Sequence, residues 1–315
     1  MDRYLQGTDV SARALHPQRR PNLLGIGAAK SGTTWLAGVL GAHPEIFMPP
    51  QKELNALHYD DLDERLPEYE AYFLNAGAAP IRCDFSVRYL ASSNAPAAAA
   101  RLVPDATILA ILRNPVDQVQ SHYWHLRRQN FHQPQAVTET PTVLEALDRF
   151  PKLLLEPALY AKHLHRWAAL FPRSRIILLR YEDVTADING NLKGLCEQLG
   201  VAPFNFAAAA EASRTNTRRG VEPRRGALGR VYPHVYTAVT RGPFRWLKGI
   251  IGVAGADTLK RRLRLREMAE AVFFEPGYPR LDLFSRIVLR KRFAADMAAL
   301  ERDFGVDTAP WRNGV

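Results

Sequence analysis

Between an apolar, strand-like run and a helical pattern the chain reads Asn22-Leu-Leu-Gly-Ile-Gly-Ala-Ala-Lys-Ser-Gly-Thr-Thr-Trp35. Gly27, Ala28, Ala29 and Gly32 carry little or no side chain, so the backbone there can approach an anion closely. A helix starting just after the loop adds unpaired amides and a partial positive charge. Lys30 contributes a point charge, and Ser31, Thr33 and Thr34 contribute hydroxyl donors. Such a set is suited to cradling a phosphate. A turn that merely caps a helix would explain the glycines but not the lysine with three hydroxyls. The order also departs from a nucleoside triphosphatase loop, G-x-x-x-x-G-K-[ST]. Ala29 stands where the second glycine belongs, and Gly32 follows the lysine.

A cradle of this kind needs a strand before it and a helix after it. Apolar runs of strand length occur at Asn22–Ile26, Thr107–Leu112 and Arg175–Leu179, each followed by polar or helical sequence. Helical spacing is clearest at Thr34–Leu40, Val116–Leu126, Leu159–Leu170 and Phe284–Phe304, and Val116, Val119, Tyr123 and Leu126 mark one face of the second. Asn114 and Pro115 sit where an N-cap and a first-turn proline belong, which turns the strand ending at Leu112 directly into a helix. Strands alternating with helices predict an α/β fold, with a central parallel β-sheet flanked by helices on both faces and ligands bound at the carboxyl ends of the strands. Residues 21–315 read as a single domain behind a loosely held leader, residues 1–20.

The composition narrows the function. With 315 residues, 47% hydrophobic and 23% charged, the chain can bury a full core, which excludes global disorder, a collagen-like repeat or a stapled mini-protein. Its two cysteines, Cys83 and Cys196, lie far apart in no C-x-x-C pair, so a reducing, cytoplasmic location is expected. The first twenty residues have no apolar core and no run reaches eighteen apolar residues, so neither a signal peptide nor a spanning helix is expected. Forty-two Lys and Arg against thirty-two Asp and Glu give a net charge of +10, which calls for an anionic partner. No C2H2 spacing or RNP-type stretch accompanies it, so that partner is not read as nucleic acid. The segment Gly242–Gly255 followed by LKRRLRLRE reads as a packed helix with a solvated cationic face, peripheral membrane contact being the alternative. Nine histidines form no metal-ligand pattern beyond the pairs His122 with His125 and His163 with His165 on predicted helices, so no metal is expected.

The stretch from Lys30 to Trp35, of the form K-[ST]-G-T-T-W, resembles the 5′-phosphosulfate loop of sulfotransferases that use 3′-phosphoadenosine-5′-phosphosulfate (PAPS). In that family a second motif places an arginine at a strand end and a serine eight residues later, both on the donor's 3′-phosphate. Arg113-Asn-Pro-Val-Asp-Gln-Val-Gln-Ser121 is similar, and two helical turns let both residues face one crevice. Met48-Pro-Pro-Gln-Lys-Glu-Leu-Asn-Ala-Leu-His58 resembles the P-x-x-K-E segment of the carbohydrate-type and bacterial branches. That resemblance implies Glu53 as catalytic base with Lys52 near the transferring group; the cytosolic small-molecule branch commonly uses a histidine, which makes His58 the rival. Arg180-Tyr-Glu-Asp183 resembles the family's Y-E-D element and Arg218-Arg-Gly220 its late R-K-G loop. By this resemblance Tyr181 and Trp35 lie near the adenine, while Arg218, Arg219 and Gly220 close over the 3′-phosphate. A second basic pair, Arg224 and Arg225, leaves open which arginine does so.

The likeness spans about Leu23 to Gly220, and residues of about 211–275 are expected to read the acceptor. It implies a donor site made of Gly27, Lys30, Ser31, Gly32, Thr33, Thr34, Trp35, Arg113, Ser121, Tyr181, Arg218, Arg219 and Gly220. It further implies sulfuryl transfer from PAPS to a hydroxyl or amine, releasing adenosine 3′,5′-bisphosphate (PAP), with Glu53 as base, Lys30 on the leaving oxygen, Lys52 beside them and no metal. The acceptor is expected on a carbohydrate, and the basic tract Arg241–Arg266 is compatible with an anionic or lipid-linked one. Two other classes compete. A P-loop-type kinase would need a magnesium-holding carboxylate after an apolar strand, whereas these strands end in Arg113 and Arg180. A non-catalytic nucleotide or polyanion-binding module would not need Lys30 and Glu53 together.

Overall fold

The computed structural model describes residues 20–129, 137, 140–213 and 278–313. Five parallel strands form one sheet in the order β2-β3-β1-β4-β5: β1 Leu23–Gly27, β2 Ile46–Phe47, β3 Ile81–Phe85, β4 Thr107–Leu112 and β5 Ile176–Arg180. β1 and β4 are buried almost throughout because both faces are covered, which is why they read as continuous apolar runs. Alternate residues enter opposite layers. Leu24, Ile26, Ile108, Ala110 and Leu112 join one cluster, and Leu23, Leu109, Ile111 and Ile177 join the other.

The first layer takes helices α2 (Leu62–Ala71), α3 (Ala95–Leu102), α4 (Pro115–Gln129), α5 (Val143–Arg149), α6 (Pro151–Leu154) and α7 (Tyr160–Ala168). The second takes α1 (Thr33–Leu40), then α8 (Tyr181–Ala186), α9 (Ile188–Leu199) and α10 (Ala207–Ala212). A long α11 (Leu283–Phe304) returns to the first layer through Leu289, Phe293, Met297 and Leu300, and α12 (Ala309–Asn313) follows it. Asp282 caps α11 by accepting from Ser285 N at 2.8 Å, and Asp296 accepts from Ala161 N and Lys162 N at the start of α7. Among the described residues no helix is long and apolar enough to cross a membrane.

The strands and helices expected within the described residues form, with ends displaced by at most three residues: β1 runs to Gly27, β5 starts at Ile176, and α4 reaches Gln129, while the helix expected from Gly242 lies outside the described residues. Asn114 and Pro115 act as the sequence predicts, since Asn114 Oδ1 accepts from Val116 N at 3.0 Å and Pro115 opens α4. Cys83 and Cys196 are buried free thiols, and burial pushes both up in pKa. The leader before Arg20, the arginines 218, 219, 224 and 225, Gly220, most of the stretch 211–275 and the tract 241–266 lie outside the described residues.

Candidate active site

β1 lies at the centre of the sheet, with β3 on one side and β4 on the other, so the chain switches direction beside it. Such a switch leaves a crevice at the carboxyl ends of the strands. Residues 28–32 lie there. Lys30 (φ 64°) and Gly32 (φ 80°) adopt left-handed conformations on either side of Ser31, which folds the loop back in the manner of anion-binding concavities. Ala28 N–H donates to Ile111 O at 2.8 Å, tying the loop to β4. No side chain caps α1, whose first amides have no intrahelical acceptors.

Gly32 is there because nothing larger fits. A Cβ at this position would stand 2.6 Å from Tyr181 Cε2, inside any permitted contact. The Tyr181 ring carries the Arg113 guanidinium 5.1 Å from its centroid, and Arg113 Nη1 donates to Lys30 O at 3.3 Å. Gln118 Nε2 donates to Ala29 O at 2.9 Å. The loop after β1, the end of β4 and the start of α8 therefore meet in one place, which brings Lys30, Gly32, Arg113 and Tyr181 together. Behind them Glu182 accepts from Asn114 N at 2.9 Å and from Trp311 Nε1 at 3.1 Å, and Tyr160 donates its hydroxyl to Arg113 O at 3.0 Å. Ser121 is half-buried on α4, two turns from Arg113.

The segment following β2 delivers the second group. Lys52 Nζ lies 3.3 Å from Thr33 Oγ1, 3.3 Å from Thr34 Oγ1 and 2.9 Å from Glu53 Oε1, with the Phe85 ring 5.5 Å below it. Glu53 Oε2 accepts from Val87 N at 3.2 Å. Side-chain exposures of 19% for Lys52 and 34% for Glu53 leave the pair reachable by a substrate while fixing its direction. The pair thus sits directly on the hydroxyls that open α1.

Trp35, His58 and Arg180 are each held by contacts of their own. Trp35 is a buried core residue whose indole N–H donates to Ala210 O at 3.0 Å, so any adenine contact would use only its remaining edge. His58 lies against Ser92, its Nδ1 3.0 Å from Ser92 Oγ, and burial with the nearby Arg88 charge lowers its pKa. Arg180, read from the sequence as suited to an anion, is already neutralised: its guanidinium is bidentate to Asp183 at 2.6 and 2.7 Å and reaches Asp307 O at 2.6 Å. Gln118 escaped notice and His122 was read only as a partner of His125, although with Ser121 and His125 they fall at helical spacing on one face of α4. Burial, aided by the Lys30 charge, depresses the His122 pKa to about 4, and its Nδ1 and Gln118 Oε1 are buried without a hydrogen-bond partner. His163 is held by Glu156 O at 2.7 Å and His165 pairs with Asp303, and no group of three or more metal-ligating side chains occurs among the described residues.

Comparison with known proteins places this geometry. The model of the sulfotransferase domain matches residues 20–217. Bifunctional heparan sulfate N-deacetylase/N-sulfotransferase 3 of Homo sapiens is 29% identical over 217 residues, covering 64% of this chain and 25% of that protein. N-deacetylase/N-sulfotransferase 1 of Mus musculus is 30% identical over 186 residues, 54% of this chain and 21% of the relative. The chain thus spans about a quarter of the length of these curated relatives. The crystal structure of a sulfotransferase from Alicyclobacillus acidocaldarius superposes with a TM-score of 0.62 at 23% identity, over 93% of this chain and 99% of that one, which establishes the shared fold. With its cradle, its arginine at the end of β4 and the family match across both, the chain belongs to the sulfotransferase domain family.

Proposed function

We propose that the protein transfers a sulfuryl group from PAPS to a hydroxyl or amine of a saccharide-type acceptor, releasing adenosine 3′,5′-bisphosphate. The observation that carries this reading is the seating of the Lys52–Glu53 pair on the Thr33 and Thr34 hydroxyls at the mouth of the loop. A base, a cation and an anion cradle then share one site. The residues present fit such a donor: Gly32 lets the loop pack closely on the Tyr181 ring, α1 begins uncapped, and Arg113 stands at the adjoining strand end. The acceptor class is supported by the relatives, whose names specify heparan sulfate.

In this scheme the α1 amides and the Ser31, Thr33 and Thr34 hydroxyls hold the 5′-phosphosulfate, and Arg113 with Ser121 holds the 3′-phosphate. Glu53 takes the proton from the acceptor oxygen or nitrogen as that atom bonds to sulfur. Lys30 and Lys52 stabilise negative charge on the sulfuryl oxygens and on the phosphate oxygen released when its bond to sulfur breaks. As in phosphoryl transfer, the protein's part is positioning and charge stabilisation. A P-loop-type kinase would need an accessible carboxylate at the strand end beside β1. There Asp84 is fully buried, and three hydroxyls occupy its oxygens.

The test is transfer of radiolabelled sulfate from PAPS to de-N-sulfated heparin and, separately, to its N-acetylated form, which offers hydroxyls only. Label should appear in at least one of them, and Glu53→Gln should lower the rate by about 10²–10⁴-fold, the usual contribution of a general base. No transfer to either acceptor, together with indifference of the protein to PAP, would overturn the proposal.

A further inference from the structure

Asp84, next to last in β3, is fully buried, where an unpaired carboxylate would be costly. It is not unpaired. Oδ2 accepts from the Tyr69 hydroxyl at 2.8 Å and the Tyr89 hydroxyl at 2.7 Å, and Oδ1 accepts from Ser86 Oγ at 2.7 Å. Because the Ser86 proton is committed to Asp84, its oxygen faces outward as an acceptor, and Asn55 N–H donates to it at 3.1 Å. Asn55 Nδ2 then donates to Glu53 O at 2.8 Å, while Glu53 N–H reaches Phe85 O at 3.3 Å. The exit of β3 thus grips the 53–55 turn at several points.

That turn needs gripping. Glu53 (φ 66°) and Asn55 (φ 56°) are both non-glycine residues in the left-handed region, a state that is unfavourable for ordinary side chains and less so for asparagine. No regular element holds residues 53–55, and released from Ser86 the turn would relax towards ordinary backbone geometry. The Lys52 ammonium would then leave Thr33 and Thr34.

We infer that Ser86, oriented by Asp84, is a positioning residue that sets the Lys52–Glu53 pair against the loop, so that the site distinguishes a sulfuryl-bearing nucleotide from the same nucleotide without it. The inference rests on the donor reading above. Lys52 touches the loop hydroxyls, and PAPS differs from PAP only by the sulfuryl group that Lys52 would face.

Calorimetric titration of PAPS and of PAP into the parent chain and its variants tests this. Ser86→Ala should weaken PAPS about tenfold, the equivalent of one charge-assisted hydrogen bond, and change PAP by less than about twofold. Lys52→Ala should show the same selective loss, and adding Ser86→Ala to it should bring no more. Tyr69→Phe removes one of two donors to the far oxygen of Asp84, so it should lower thermal stability yet leave the ratio of the two affinities unchanged. Should Ser86→Ala fail to fold, Ser86→Cys keeps the shape of the side chain but is a weak acceptor for the Asn55 amide, and it should produce the same selective loss. Equal weakening of both nucleotides by Ser86→Ala, or losses that add fully to those of Lys52→Ala, would reduce the network to packing and overturn the inference. A parent chain that binds neither nucleotide would instead refute the donor reading, and this inference with it.

Discussion

Gly32→Ala isolates the most tightly built point of the site. Two costs arise from different causes. At φ 80° an alanine occupies left-handed space, worth about 1–2 kcal/mol. Its Cβ would also stand 2.6 Å from Tyr181 Cε2 and 2.7 Å from Cδ2, so the ring must retreat by roughly 1 Å, and overpacking of this sort costs about 1–3 kcal/mol. The sum, about 2–5 kcal/mol, corresponds to a fall in Tm of roughly 4–10 °C for a chain of this size. Retreat of the ring also pulls on the Arg113 guanidinium stacked over it, so nucleotide affinity should fall together with stability. Scanning calorimetry of Gly32→Ala, Tyr181→Ala and the double variant separates the terms. Removing the ring abolishes the clash but not the backbone strain, so the double variant should be more stable than the sum of the singles predicts by about 1–3 kcal/mol. Additivity within about 0.5 kcal/mol would show that Tyr181 does not confine Gly32, and the argument for the loop's shape would fail.

Glu182→Ala leaves the Asn114 amide and the Trp311 indole N–H without acceptors, and should cost about 2–4 kcal/mol as a shift of the urea midpoint at constant slope. His122 binds its proton near pH 4 when folded against an ordinary value of 6.5. The unfolded chain therefore takes up the proton first on acidification, and the stability this group supplies, complete above 6.5, is lost as pH falls from 6.5 towards 4. His122→Gln should flatten the stability profile across that window by up to about 3 kcal/mol, read from denaturant midpoints at pH 4.5 and 7; an unchanged profile would contradict the burial of this imidazole beside Lys30. Asp84 is shifted the opposite way, upward, chiefly by burial, so Asp84→Asn should be better tolerated at neutral pH than at acid pH, measured as the loss of Tm relative to the parent.

The cradle was legible because its signal is local. A buried apolar strand, small residues, a lysine and hydroxyls lie within fourteen consecutive positions, and Asn114-Pro115 announces the turn after β4 just as directly. β3 was missed for a physical reason. Its sequence, Ile-Arg-Cys-Asp-Phe, breaks the apolar run with Arg82 and Asp84, and only the hydroxyls of Tyr69, Tyr89 and Ser86 make a carboxylate tolerable there. β2, at two residues, offers no pattern to read. The pairing of Arg180 with Asp183 could have been seen, since the two are three residues apart at a helix start, and it removes that arginine from the anion site. Contacts between distant segments are another matter. Nothing in the spacing of Lys52 and Thr33, or of Glu182 and Trp311, says that they touch. Those contacts follow from a parallel sheet whose strands all end at one edge, which brings the segment after β2, the loop after β1 and the start of α8 to that edge, where Trp311 meets Glu182.

The central claim is that the crevice between β1 and β4 is a site for a 3′-phosphorylated adenosine nucleotide. Titration of the full chain with adenosine 3′,5′-bisphosphate in the absence of magnesium, repeated with ATP and with Arg113→Ala, tests it most directly. The account predicts micromolar or tighter binding of the bisphosphate, weakened by about 10²-fold in the variant as a bidentate charge-assisted contact is lost, and no comparable binding of ATP. Magnesium-dependent binding of ATP with indifference to the bisphosphate, or bisphosphate binding that Arg113→Ala leaves intact, would contradict it.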